Sequence, residues 1–148
     1  MIEPRFDDAA GFAGGLAVVM LGGKWGYIDK TGKYTIKPQF DEAHAFTGGL
    51  SRVKLGNQWG YIDSTGSYAI KPQFEDASAF LSNIAPVKIN GKWGYIDNSG
   101  MMVIPANDFS NANPFHNGLA RVVTNHETYG YINKTGRFVW ESKREGTN

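Results

Sequence analysis

Trp25-Gly26-Tyr27-Ile28-Asp29 returns 34 residues later as Trp59-Gly60-Tyr61-Ile62-Asp63, and again 34 residues later as Trp93-Gly94-Tyr95-Ile96-Asp97. After 36 more residues an altered copy follows, Tyr129-Gly130-Tyr131-Ile132-Asn133. Self-similarity at a fixed period of this length is the signature of a repeat architecture. Other columns keep step: Phe6, Phe40, Phe74 and Phe109; Phe12, Phe46, Phe80 and Phe115; Val19, Val53, Val87 and Val122. Four units, at about 4–37, 38–71, 72–104 and 105–141, fill one repeat domain spanning 1–148 and leave a polar tail at 142–148.

Within the second unit, Ser51-Arg52-Val53-Lys54-Leu55 alternates apolar and basic residues, the period of a half-buried strand. Gly56-Asn57 signals a tight turn, and Trp59 to Ile62 a second strand. Asp63-Ser64-Thr65-Gly66 is a second turn: the Asp side chain bonds backbone ahead of it, and Gly66 supplies a positive φ. Tyr68-Ala69-Ile70 is a third strand, expected to end at Pro72, which has no N–H for the ladder. Phe74, Ala77 and Phe80 then recur every three residues behind the acidic pair Glu75-Asp76, which predicts a short helical turn. The expected fold is all-β: tandem three-stranded antiparallel meanders, each preceded by a short helical turn. A three-stranded sheet cannot cover its own apolar face, so the units must pack on one another. They are expected to stack as an open twisted array, with a closed four-bladed, propeller-like ring as the alternative.

The composition supports many turns joining short aromatic strands: 19 Gly and 14% aromatic residues in 148. It also excludes classes of function. Fifteen basic against 14 acidic side chains leave a net charge of +1, without the electrostatic footprint of a nucleic-acid binder. The absence of Cys removes disulfides, thiol catalysis and thiolate metal sites. No apolar run reaches the about 18 residues of a membrane span, and Met1-Ile2-Glu3-Pro4-Arg5 opens no signal peptide, so no membrane insertion and a cytoplasmic location are expected.

The units closely resemble the bacterial WG (KWG) repeat, which takes its name from the Trp-Gly pair present at Trp25-Gly26, Trp59-Gly60 and Trp93-Gly94. The preceding Lys is present at Lys24 and Lys92; Gln58 and Thr128 stand in its place elsewhere. The resemblance spans nearly the whole chain and implies β-rich modules without a shared activity, so it carries over no catalytic residue.

Each candidate for chemistry has a scaffold explanation beside it. Trp25, Trp59 and Trp93 could be stacking platforms, but a residue present in three units out of four is expected in the core. Asp29, Asp63 and Asp97 give way to Asn133, which forms the same turn but is no general base, so the column belongs to the turn. The pairs Asp7-Asp8, Asp41-Glu42 and Glu75-Asp76 lack the Asp-x-Asp-x-Asp-Gly pattern of a calcium loop and are read as helix-start carboxylates. His44, His116 and His126 share no metal-ligand spacing. No catalytic, metal or cofactor site is expected.

The columns that vary are the freer ones. Val18, Met20, Arg52, Lys54, Lys88, Arg121 and Val123, together with Pro86, fall on one face of the first strand, where stacking would align them into an apolar and basic ridge. They are the candidate partner-binding residues. The last unit departs most, with Tyr129 for Trp and Trp140 for the third-strand Ile, and is read as a terminal cap. The resulting expectation is a non-enzymatic binding or scaffold module whose partner is a macromolecule, above all a protein. The alternatives are a toxin-neutralising immunity protein and a carbohydrate or cell-envelope binder, the latter requiring exposed aromatic rings in a row. A hydrolase-like enzyme would require one of the three His beside a carboxylate in a cleft.

Overall fold

A computed structural model describes residues 6–142. These form fifteen strands and no helix. Accordingly, none of the described residues belongs to a helix long and apolar enough to cross a membrane. The chain divides into two compact units, Met1–Phe74 and Glu75–Asn148, so each holds two repeats.

The first unit contains two four-stranded antiparallel sheets. One is β1 (Asp8–Ala13), β2 (Leu16–Leu21), β3 (Lys24–Ile28) and β4 (Tyr34–Phe40), in that order. The other is β5 (Glu42–Ala43), β6 (Ser51–Leu55), β7 (Gln58–Ile62) and β8 (Tyr68–Phe74), also in chain order. In the second unit the same pattern runs through a seven-stranded sheet of β9 (Asp76–Ala77), β10 (Ile84–Ile89), β11 (Lys92–Asp97), β12 (Met102–Ala112), β13 (Ala120–Thr124), β14 (Tyr129–Ile132) and β15 (Phe138–Glu141). Strand β12 serves two repeats: Ile104 pairs with Tyr95 on one side, and Ala112 pairs with Val122 on the other. The sheets are open, and none closes into a barrel. Each repeat therefore builds a four-stranded meander of the kind that forms one propeller blade.

Two local expectations are corrected. The short helical turn is absent: Glu42–Ala43 and Asp76–Ala77 are strands that pair with β6 and β10, adding a fourth strand to the meander. Their acidic neighbours do not start helices. Asp41 Oδ2 accepts the Gly56 N–H at 2.7 Å, and Glu75 Oε2 accepts the Gly91 N–H at 3.1 Å. Asp7 Oδ2 takes the Gly22 N–H in the same way at 2.9 Å. Each carboxylate thus caps the hairpin of its own repeat. The second correction is that Pro72 does not end β8, which runs on to Phe74. Trp59 faces Phe74 and Tyr61 faces Ile70, so three residues of β8 oppose Gly60 alone. Pro suits this bulge because it has no donor to leave unpaired. Gly60 is required there, since a Cβ would lie 2.6 Å from Pro72 N and 2.7 Å from the Ile70 carbonyl oxygen.

The turn column behaves as expected. Asp29 Oδ1 accepts the Thr31 and Lys33 N–H groups, and Asn133 Oδ1 makes the same bonds with Thr135 and Arg137.

Cores form between successive repeats. In the first unit, Leu16, Val18, Tyr27 and Ile36 of the first repeat pack with Phe46, Val53 and Ile62 of the second, with Trp25 partly buried against them. In the second unit, Tyr95 and Ile104 pack with Phe115, Val122 and Ile132, with Trp93 alongside.

Candidate functional site

Cross-strand register decides which residues share a face. Arg52 lies opposite Tyr61 and Lys54 opposite Trp59; Lys88 lies opposite Trp93; Val18 and Met20 lie opposite Tyr27 and Trp25. The variable column therefore sits on the Trp/Tyr face, the one on which, within each unit, the second repeat packs against the first. Val18 is accordingly core, 4% exposed, and is removed from the binding residues. Met20, Arg52, Lys54 and Lys88 are partly buried. The Arg52 guanidinium and Lys54 ammonium each stand 5.9 Å from the Trp59 ring centre. Burial of Trp59 makes it a core residue and not an open platform.

The contact that covers this face is the same in both units. Tyr27 and Tyr95 are fully buried. The Phe46 ring meets Tyr27 edge-on at 5.0 Å, and the Phe115 ring meets Tyr95 edge-on at 4.9 Å. The Tyr27 hydroxyl donates to the His44 carbonyl, and the Tyr95 hydroxyl to the Asn113 carbonyl, both at 2.7 Å. In each case the acceptor lies two residues before the Phe. Burial pushes the Tyr27 hydroxyl up to about 12 and raises that of Tyr95 as well.

In the last repeat the same face is open. Arg121 pairs with Tyr131, Val123 with Tyr129 and Tyr131 with Trp140, so these residues lie together. Tyr129, Tyr131 and Trp140 are 43%, 41% and 51% exposed. Trp140 stands 5.7 Å from Tyr129 and 6.4 Å from Tyr131, with the ring planes tilted by 51° and 52°. The Arg121 guanidinium lies 5.0 Å from the Tyr129 ring centre. Trp140 holds the position of Ile36 and Ile104, both of which are buried. A terminal cap calls for a polar outer face, whereas this one is aromatic. Of the expected binding residues, Arg121 and Val123 belong to this face; Tyr129, Tyr131 and Trp140 were missed. The signal for them was the exchange of Ile for Trp140 in the one repeat that also lacks its Trp-Gly pair.

The three His have different surroundings. The half-buried His44 ring lies 5.6 Å from Trp59, and burial, with Arg52 nearby, pushes its pKa down. His116 is exposed in a loop. His126 lines a cleft of about 400 Å³ together with Asp108, Thr124, Thr128 and Glu141. The Thr124 and Thr128 hydroxyls bond one another at 2.6 Å, and Thr128 also donates to Glu141 at 3.1 Å. Among the described residues no group of three or more His, Asp or Glu is placed to hold a metal ion.

These features define a β-repeat protein built from four-stranded meanders with one open aromatic face. The chain belongs to the family of WG-containing repeats, whose profile matches residues 1–25, 25–59, 59–93 and 93–125. No curated protein matches the sequence. Among solved structures, Hsv2 of Kluyveromyces lactis is similar with a TM-score of 0.62 and 8% identity, over 94% of this chain and 51% of that one. The N-terminal domain of Nup159 gives 0.61 and 11%, over 99% and 46%. BamB from Moraxella catarrhalis gives 0.53 and 12%, over 90% and 47%. At such identities the likeness is one of fold. The chain spans about half the length of these solved chains.

Proposed function

We propose that this chain is a non-enzymatic module that binds another protein, and that the open face of the last repeat is its docking surface. One observation carries the reading: Tyr129, Tyr131 and Trp140 stand exposed on one sheet face with Arg121 against Tyr129. Tyr, Trp and Arg are the residues in which binding energy concentrates at protein interfaces, and rigid rings lose little conformational freedom on docking. The Thr hydroxyls in the His126 cleft are engaged with each other and with Glu141, which favours a structural role over an acid–base one. Capture from native lysate, followed by mass spectrometry, tests the proposal. The double variant Arg121→Glu with Trp140→Ala is expected to lose proteins that the wild type retains; equal capture by both would refute it.

The row of rings also favours a second reading, carbohydrate binding, in which sugar faces stack on Tyr129, Tyr131 and Trp140. A glycan array separates the two: retention of a defined glycan that Trp140→Ala abolishes would replace the protein partner with a sugar.

A further inference from the structure

The last repeat carries two insertions that the second repeat lacks, and both line one cleft. Three residues separate Pro105 from Phe109, where Gln39 alone separates Pro38 from Phe40 and Gln73 alone separates Pro72 from Phe74. Seven residues separate Val122 from Gly130, against six between Val53 and Gly60. The two longer segments are pinned to each other: the Asn125 N–H donates to the Asp108 carbonyl at 3.0 Å, and the Asn125 side-chain amide to the Asn107 carbonyl at 3.1 Å. Thr124 follows Val123 and Thr128 precedes Tyr129, so both Thr side chains face away from the aromatic rings of the docking face. The cleft of about 400 Å³ that they line lies wholly within the second unit and has Phe138 as its aromatic wall.

Its polar lining is made of acceptors. The Thr128 hydroxyl donates to Glu141, so the bond between the two hydroxyls runs from Thr124 to Thr128. Both hydroxyl protons are thereby directed toward the Glu141 carboxylate, which they hold in place as an acceptor. Asn125 spends an amide proton on Asn107. Asp108 adds a second carboxylate, and neither carboxylate has a Lys or Arg partner among the described residues. A concave site with an aromatic wall and convergent acceptors suits a ligand that is rich in N–H donors and positively charged.

We propose that this cleft binds an organic cation, the ammonium or guanidinium end of a short carbon chain, with Glu141 and Asp108 accepting its N–H groups and Phe138 lying against its carbons. The site is on the other side of the sheet from Tyr129 and Tyr131, so it stands independently of the docking role proposed for them. The same cationic group is offered by a free diamine and by a Lys or Arg side chain of another protein.

Isothermal titration calorimetry at low salt and about pH 8, where an imidazole such as that of His126 is uncharged, tests the proposal. The probes are cadaverine and the blocked amino acids Nα-acetyl-lysine amide and Nα-acetyl-arginine amide; glutarate and the diol of cadaverine's length are the anionic and neutral controls. Saturable binding of the cations and none of the controls is expected. Asp108→Asn and Glu141→Gln should each weaken it at least about tenfold, the usual loss with one charge-assisted hydrogen bond. Asp108→Asn keeps the test decisive if Glu141→Gln disturbs the Thr pair, since the Asp108 carboxylate is exposed. Tyr131→Ala, on the opposite face, should bind as wild type does. Tighter binding of a blocked amino acid than of cadaverine assigns the cation to a protein side chain, and the reverse order to a free diamine. Absence of saturable binding by every cation overturns the proposal, and so does binding that Asp108→Asn and Glu141→Gln both retain in full.

Discussion

Tyr95 and Tyr131 occupy the same column of the repeat, follow the same kind of hairpin and face the same third-strand position, yet one is fully buried and the other is 41% exposed. The difference lies in what packs on them. Phe115 of the following repeat closes over Tyr95, whereas Tyr131 shares an exposed face with Tyr129 and Trp140. A repeat thus specifies a face, and its neighbour decides whether that face is core or surface. The same chemistry that stabilises the inside of the array is available for recognition at its last unit.

The largest test of this contrast compares truncations. Tyr95→Ala should destabilise the protein by about 3–5 kcal/mol in a denaturant melt, the usual cost of emptying a large buried aromatic site. Tyr131→Ala, at an exposed ring, should stay within about 0.5 kcal/mol of wild type. Equal losses would mean that the two faces are covered alike.

A smaller effect isolates the hydroxyl. Tyr95→Phe removes the donor that satisfies the Asn113 carbonyl, and a part-buried acceptor left without its bond costs about 1–2 kcal/mol. Tyr131→Phe should leave the melting curve unchanged. A neutral Tyr95→Phe would show that ring packing alone holds the covered face.

The smallest effect is in the acid limb of stability. Hydrogen bonds from Thr31, Thr65 and Ser99 hold the carboxyls of Asp29, Asp63 and Asp97 below the usual carboxylate range. Because the folded pKa is depressed, the unfolded chain takes up protons first. The stabilisation is therefore present above the ordinary value near about 4 and is lost as the pH falls through the lowered folded one. Asn133 makes the same turn bonds without titrating. Asp63→Asn should accordingly match wild type at neutral pH and lose less stability on acidification. A steeper acid loss in Asp63→Asn would contradict the assignment.

Much of this architecture was legible in the sequence because a repeat states its rules several times over. Three strands of each meander, the Asp turns and the burial of Trp59 followed from periodicity and from Asn133 alone replacing Asp, while Trp25 and Trp93 are only partly buried. The short strands β5 and β9 were not legible: two residues are too few for a period, and the neighbouring Phe spacing imitates a helix. The caps that Asp41 and Glu75 place on turns 15 and 16 residues away are long-range contacts that no local pattern encodes. The face of the variable column could not be read from single strands either. Once register places Arg52 opposite Tyr61 and Val18 opposite Tyr27, alternation within β6 or β2 stops meaning inside against outside. Of the binding face, Arg121 and Val123 were found by their variability. Tyr129, Tyr131 and Trp140 were hidden because they look like ordinary members of buried columns.

Oxidative footprinting tests the central claim, that the same repeat face is covered at Tyr27 and Tyr95 and open at Tyr131 and Trp140. Rapid modification of Tyr131 and Trp140 beside protected Tyr27 and Tyr95 is the predicted result. Protection of Tyr131 and Trp140 equal to that of Tyr95 would contradict it.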